Sequence, residues 1–192
     1  MRRCIAYLFS ALMLLSAATG AAAQGRVVRT GLYSSFKGVG MEVMTEPEGK
    51  MESFILSTDF GGTLIRDIHE SAGLKFSWRM HYTFSQGRSE RGLVYRLYAG
   101  PGLSAGYVRD YTTKNDRGFG FMTGICANEG ILLTFDKRAV SIALEFSQDL
   151  GFHMTRRGEM NNLNMGLYKR GIYSGYFPEI KVFIDLGRRG VR

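Results

Sequence analysis

The stretch Leu74-Lys75-Phe76-Ser77-Trp78-Arg79-Met80-His81-Tyr82-Thr83-Phe84-Ser85 decides the fold. Every even position is apolar or aromatic, and every odd one is polar or charged. A helix brings residues three and four apart onto one face, so a period of two sustained over the whole stretch cannot be a helical stripe. It is a strand with one greasy side and one wet side.

Working outward, the same alternation recurs. From Leu93 to Tyr107 one face carries Leu93, Tyr95, Leu97, Ala99, Leu103, Ala105 and Tyr107, and the other Arg96, Tyr98, Gly100, Gly102, Ser104 and Gly106. From Val140 to Met154, Val140, Ile142, Leu144, Phe146, Leu150, Phe152 and Met154 share a face that Gln148 interrupts; Ser141, Glu145, Ser147, Asp149 and His153 oppose them. Near the end, Ile180, Val182, Ile184 and Leu186 alternate with Glu179, Lys181, Phe183 and Asp185. Phe119 to Phe135 is a further strand whose apolar parity includes Glu129, and a bulge around Asn128-Glu129-Gly130 would re-aim that carboxylate. Upstream, Val27–Phe36, Gly38–Thr45 and Met51–Phe60 read as shorter strands, with Val39, Met41, Val43, Phe54, Leu56 and Phe60 outward. The expected strands are 26–36, 38–46, 50–60, 72–85, 91–110, 118–135, 139–154 and 173–187.

Connections at one end, Glu46–Gly49, Gln86–Glu90 and Asp136–Arg138, are short and polar. At the other end Phe36–Gly38 is short, while Gly61–Ser71, Tyr111–Arg117 and Thr155–Ile172 are expected to be long. Short turns on one side and longer loops on the other suit a barrel crossing an outer membrane.

The chain opens with Arg2 and Arg3, an apolar run from Ile5 to Leu15 and small residues to Ala23, the order of a secretory signal peptide. The expected domains are therefore a cleaved signal at 1–23 and a barrel at 24–192. Cleavage would remove Arg2 and Arg3 and no acid, taking the formal charge from +8 to +6. Only Cys126 would survive, which forbids an internal disulfide. Lys and Arg are dispersed, so nucleic-acid binding is not expected. Gly is abundant at 25 residues and Pro scarce at 3, which favours strands joined by tight turns.

The polar faces hold Glu42, Glu145, Asp149, Glu179 and Asp185 against Lys75, Arg79, Arg96 and Lys181, with His81 and His153 nearby. Charges in such balance can pair across a narrow lumen, where an unpaired one would be costly. Hydrocarbon would then wet the apolar face, with Trp78, Tyr82, Tyr95 and Tyr107 as candidate interfacial aromatics. The expectation is an all-β fold, a closed antiparallel up-and-down transmembrane β-barrel of about eight strands.

The segment Arg96-Leu97-Tyr98-Ala99-Gly100-Pro101-Gly102-Leu103-Ser104-Ala105-Gly106-Tyr107-Val108-Arg109-Asp110 resembles small outer-membrane β-barrel proteins of the porin-like kind, in which a strand often carries an aromatic-x-Gly-x-Gly-x-x-x-Gly-Tyr run. Tyr176–Leu186 is similar to their final strand. The resemblance implies an eight-stranded barrel inserted by the outer-membrane assembly machinery, with outer-membrane lipid and lipopolysaccharide as surroundings and no activity assigned. Such barrels commonly end on an aromatic residue, whereas this chain adds Gly187-Arg188-Arg189-Gly190-Val191-Arg192.

Some eight-stranded barrels modify lipids with a His, a Ser and a carboxylate at the outer rim. Candidates here are His153, the run His69-Glu70-Ser71, and His81 with Ser85. None forms a recognisable motif, so no catalytic residue is assigned, and a lipid A- or phospholipid-modifying hydrolase or acyltransferase stays as the alternative. The scattered histidines and single Cys126 give no metal-ligand spacing, and Gly118-Phe119-Gly120 lacks the strand–helix context of a phosphate loop. Neither metal nor cofactor is expected. A narrow pore is a second alternative, opposed by the long side chains that would fill the lumen. The reading is a monomeric structural or binding protein of the outer membrane, making contact through external loops, above all Thr155–Ile172 with Arg156, Arg157, Lys169 and Arg170.

Overall fold

The computed structural model describes residues 27–35, 38–47, 50–59, 73–90, 92–113, 116–135, 139–157, 162–170 and 178–186. The expected signal peptide and the basic tail 187–192 lie outside them, as do Phe60 and the loop 61–71. The strands are β1 (Val27–Ser35), β2 (Gly38–Glu46), β3 (Met51–Asp59), β4 (Gly73–Arg88), β5 (Leu93–Thr113), β6 (Asp116–Phe135), β7 (Val140–Arg157), β8 (Asn162–Arg170) and β9 (Glu179–Leu186). Each of β1 to β7 pairs antiparallel with the next, and β9 closes the sheet by pairing with both β7 and β1. β8 pairs with the upper part of β7, from Asp149 to Arg157, and β9 with its lower part, from Val140 to Glu145. The ring thus has eight positions, the eighth shared by two successive segments. "Lower" here denotes the end bearing the turns after β2 and β4.

The registers fix the geometry. Stepping along paired residues from Leu144 gives Ile180, Ser34, Val39, Thr58, Leu74, Tyr107, Phe121 and finally Met154. One circuit returns to β7 ten residues above its start. Ten residues climb about 33 Å along a strand, while eight strand spacings cover about 38 Å across them. The strands therefore tilt by about 40° and the backbone lies roughly 8 Å from the axis, a bore that side chains fill.

Three expectations change. First, the described residues of the expected loop 155–172 are strand: β7 continues to Arg157, and Asn162–Arg170 forms β8. The signal was the alternation of Leu163, Met165 and Leu167, obscured by the Asn and basic residues around it; Met165 and Leu167 are exposed on the outer face. Second, Tyr111–Arg117 is mostly strand, because β5 reaches Thr113 and β6 starts at Asp116. Tyr and Thr suit an extended ladder even without apolar alternation. Third, no bulge occurs at Asn128–Gly130, since these residues keep continuous register with both β5 and β7. Glu129 stays on the outer face. Register shifts fall instead in β4, between Thr83 and Ser85, leaving Phe84 as the extra residue, and near the top of the β5–β6 pair, between Asp110 and Thr113.

Local chemistry places the turns. Gly92 has φ 78°, a left-handed conformation that a side chain resists, and its N–H donates to the Ser89 carbonyl at 2.9 Å to close the β4–β5 turn. On the inner face, Gly124 and Gly151 are cross-strand partners. A Cβ at Gly124 would lie 2.3 Å from the Leu150 carbonyl oxygen, so side chains there would block the close approach of β6 and β7. Gly124→Val is expected to lower the unfolding free energy in detergent by about 1–3 kcal/mol, whereas Ala127→Val on the outer face of the same strand should change it by about 0.5 kcal/mol or less. Equal effects in urea titrations would show that the glycine pair does not set the curvature.

Candidate functional site

The lumen holds the molecule's polar chemistry, stacked in layers. Successive inward residues of β2 are Glu46, Met44 and Glu42; those of β9 are Asp185, Phe183 and Lys181. The two strands flank β1, so an ionic rung, an apolar rung and a second ionic rung lie one above another.

The lowest layer joins Arg29, Glu46, Arg96 and Asp185. Arg29 pairs with Glu46 through one guanidinium nitrogen and lies with its Nε 2.9 Å from Asp185. Arg96 donates to Glu46 at 2.8 Å. Above it, Met44, Met51, Leu132, Ala143 and Phe183 pack with Tyr98 as an apolar plate. The central layer follows. Lys181 Nζ lies 2.7 Å from Glu145 and 2.8 Å from Glu42, while Arg79 donates to Glu145, to Glu179 at 2.8 Å and to Ser147 at 3.0 Å. Tyr98 donates its hydroxyl to Glu145 at 2.7 Å. Higher still, Lys75 meets Asp149 at 2.5 Å, and Ser104 donates to the same carboxylate.

All nine lumen charges expected from the sequence are inward, and the structure joins them into these layers. Arg29 and Glu46 were missed. Arg29 shares its parity with Gly31 and Tyr33, which is the available signal, and Glu46 reads in sequence as the start of the turn Glu46–Gly49. Also missed was the apolar plate: alternation puts Tyr98 and Phe183 on the polar faces of their strands, but it does not say that Met44, Met51, Leu132 and Ala143 from other strands meet them at one height.

The histidines are dispersed. His69-Glu70-Ser71 lies outside the described residues. His153 points inward near the top of β7 and is buried. His81 does meet a serine, but Ser53 rather than Ser85: its Nε2 is 2.8 Å from Ser53 Oγ and its Nδ1 is 2.7 Å from the Asn128 amide. The Tyr98 ring stands edge-on at 4.7 Å. This serine–imidazole–amide series has the order of a nucleophilic triad with the polarity reversed. The Asn128 amide donates to Nδ1, which leaves the ring proton on Nε2, facing Ser53, where a general base would need a free lone pair. Ser53 and His81 are fully buried beside the apolar plate and the central ion cluster, so no route for a substrate reaches the hydroxyl. The arrangement holds the imidazole in place. Gly118, Phe119 and Gly120 lie within β6 opposite Asp110, Arg109 and Val108, in a ladder and not a phosphate loop. Among the described residues no group of three His, Cys, Asp or Glu side chains could hold a metal ion. The side chains of Arg156, Arg157, Lys169 and Arg170 lie outside the described part, although their backbones are in β7 and β8.

No protein-family model, curated protein or solved structure matches this chain.

Lys181 is the cation most deeply committed to the lumen, touching two carboxylates with no exposure of its own. Removing one partner from a buried cluster typically costs about 3–5 kcal/mol, since the remaining charges lose compensation. Lys181→Met should destabilise the barrel by that amount in guanidinium titrations, and adding Glu42→Gln should recover part of the loss. No recovery in the double variant would mean that the two groups are not coupled.

Proposed function

We propose that this chain is an integral outer-membrane β-barrel with a side-chain-filled lumen, serving a structural or binding role at the cell envelope. The observation that carries the reading is the inverted polarity of the sheet. Arg79, Glu145 and Lys181 are at most 1% exposed, whereas Leu32, Ile125, Phe152 and Ile184 are 56–66% exposed on the opposite face. In water, leaving one such side chain uncovered forgoes about 1.5–3 kcal/mol, and the wall carries many of them side by side. Hydrocarbon removes that penalty and demands that every backbone group be paired within the protein, which a closed ring provides.

Dimensions agree with this assignment. β1 and β2 each have nine residues, and at a tilt of about 40° nine residues rise about 23 Å, close to the ~25 Å apolar band of such barrels. Tyr95 and Tyr107, both outward on β5, lie about 30 Å apart in height by the same arithmetic and suit the two interfaces. Trp78 and Tyr82, paired with Leu103 and Ala99, fall between them on the wall. The apolar plate sandwiched between ion layers favours a closed lumen over a narrow pore. A resemblance to small porin-like barrels, an exported location after signal cleavage, insertion by the outer-membrane assembly machinery and contact with lipopolysaccharide at the upper end complete the proposal. A lipid-modifying enzyme would need an accessible His–Ser pair, and the pair that His81 forms with Ser53 among the described residues is sealed.

The mature chain should fractionate with outer membranes, resist salt and carbonate washes, require detergent for extraction, and migrate faster in gels when unboiled. Release by a salt wash alone would sink the membrane assignment. In planar bilayers the purified protein should give no discrete conductance steps, and the combined variant Met44→Ala, Met51→Ala, Phe183→Ala should admit ions. A wild-type protein that conducts as readily as this variant would replace the plugged lumen with a pore.

A further inference from the structure

The apolar wall does not end at one height. Phe121, Phe152, Met165 and Leu167 are 44–67% exposed on the outer face of β6, β7 and β8. Phe121 pairs with Met154, Met154 with Met165, and Phe152 with Leu167, so with the half-buried Met154 they form one continuous patch. β1 and β2 stop well below it, at Ser35 and Gly38.

On the closed ring, one residue up a strand adds about 2.5 Å of height and turns about 15° around the axis. A step to the next strand, in the order β7, β9, β1 and onward to β6, adds about 3 Å and turns about 26° the other way. Measured from Leu144, the patch stands about 20–28 Å up, within a sector roughly 80° wide. Below it the same side runs through Ile125, Leu103 and Trp78 to Met80, at about 1 Å. Charge follows: Glu52, paired with Met80 and Thr45, lies about 3 Å below Leu144. Lys50 precedes it, its ammonium 5.8 Å from the centre of the Tyr82 ring. On the opposite side of the ring the apolar face is lower at both ends. It descends to Leu133 and Phe135, about 8 and 13 Å below Leu144, and is topped by Val39, about 9 Å above it.

We infer that the barrel axis is inclined by about 30° to the bilayer normal, which places the upper outer face of β6–β8 in lipid hydrocarbon; the inference rests on the membrane assignment proposed above. The two sides carry apolar belts of about 28 and 22 Å, each near the ~25 Å band of such barrels. Their midpoints differ by about 16 Å across a wall about 24 Å wide with its side chains, which sets the angle. An upright slab fitted to the β9–β1–β2 side would leave the patch about 8–16 Å above lipid and sink Glu52 about 10 Å into it. Inclination corrects both ends together. It lowers the patch into the slab and carries Glu52 and Lys50 out into water, with Tyr82 at the boundary where aromatic rings settle. A protein seated on the patch would leave the lower mismatch untouched. Glu129 stays near mid-depth in either orientation and does not distinguish them.

The test uses the purified mature chain in phosphatidylcholine vesicles of ~25 Å hydrocarbon thickness, with Cys126→Ser as background and one nitroxide-labelled cysteine at a time. Retention of the heat-modifiable gel shift identifies the folded variants. Labels at Met165→Cys and Leu167→Cys should show a ratio of oxygen to water-soluble nickel chelate collisions at least five-fold above that at Glu52→Cys, and close to that at Ile125→Cys. Leu133→Cys should also exceed Glu52→Cys, although it stands lower along the barrel axis. Nickel-dominated collisions at both Met165 and Leu167, or a deeper label at Glu52 than at Leu133, overturn the inclination; an oxygen-dominated Ile125 then leaves the membrane assignment standing. Nickel-dominated collisions at every position, Ile125 included, overturn both.

Discussion

Closure of the backbone ladder with a ten-residue stagger is the constraint on which the rest of the molecule depends. Once eight strand positions meet at that stagger, tilt and radius are no longer free, and the bore can hold only the side chains that project into it. Glycines at the inner face admit the curvature: where Gly124 faces Gly151, the two strands approach more closely than any side chain would permit. The radius then dictates that opposite walls lie within reach of long side chains. Arg79 from β4 can touch Glu145 on β7 and Glu179 on β9 only because the ring is this narrow.

That narrowness makes the interior an all-or-nothing polar network. Among the described residues the lumen gathers six carboxylates, Glu42, Glu46, Glu145, Asp149, Glu179 and Asp185, and five cations, Arg29, Lys75, Arg79, Arg96 and Lys181. None of these would tolerate burial alone, and each is held by charges from other strands. The apolar plate of Met44, Met51, Leu132 and Phe183 separates the lower ion layer from the central one, so the two clusters act as independent clamps along the bore. A core made this way fixes the register of strands, because a slip of one residue would carry every charge to the outer wall.

The alternation in Leu74–Ser85 was legible because its two faces differ in every residue, and the same clarity identified the inward charges on β5, β7 and β9. Legibility failed where the pattern was thin. Asn162–Arg170 carries its alternation on three apolar residues amid Asn, Lys and Arg, and so resembles a loop. Glu129 suggested a bulge because a charge on the greasy parity looks like a fault in phase; the ladder instead runs straight through it. The bulge at Phe84 could not be foreseen, since an aromatic extra residue leaves the hydropathy pattern intact. The Ser53–His81–Asn128 series lay beyond sequence altogether, because it joins β3, β4 and β6 through a shared lumen and leaves no spacing rule behind.

The seam between β1 and β9 has a consequence for how the molecule comes into being. Leu32 and Val182 are neighbours in the sheet although 150 residues separate them along the chain. Until the last strand has emerged, the growing sheet keeps two bare margins, each able to recruit a stranger's backbone. Contacts this remote form slowly. Sealing must therefore be the final act of maturation, and a chain halted before Glu179 would be a sticky open ribbon in need of custody.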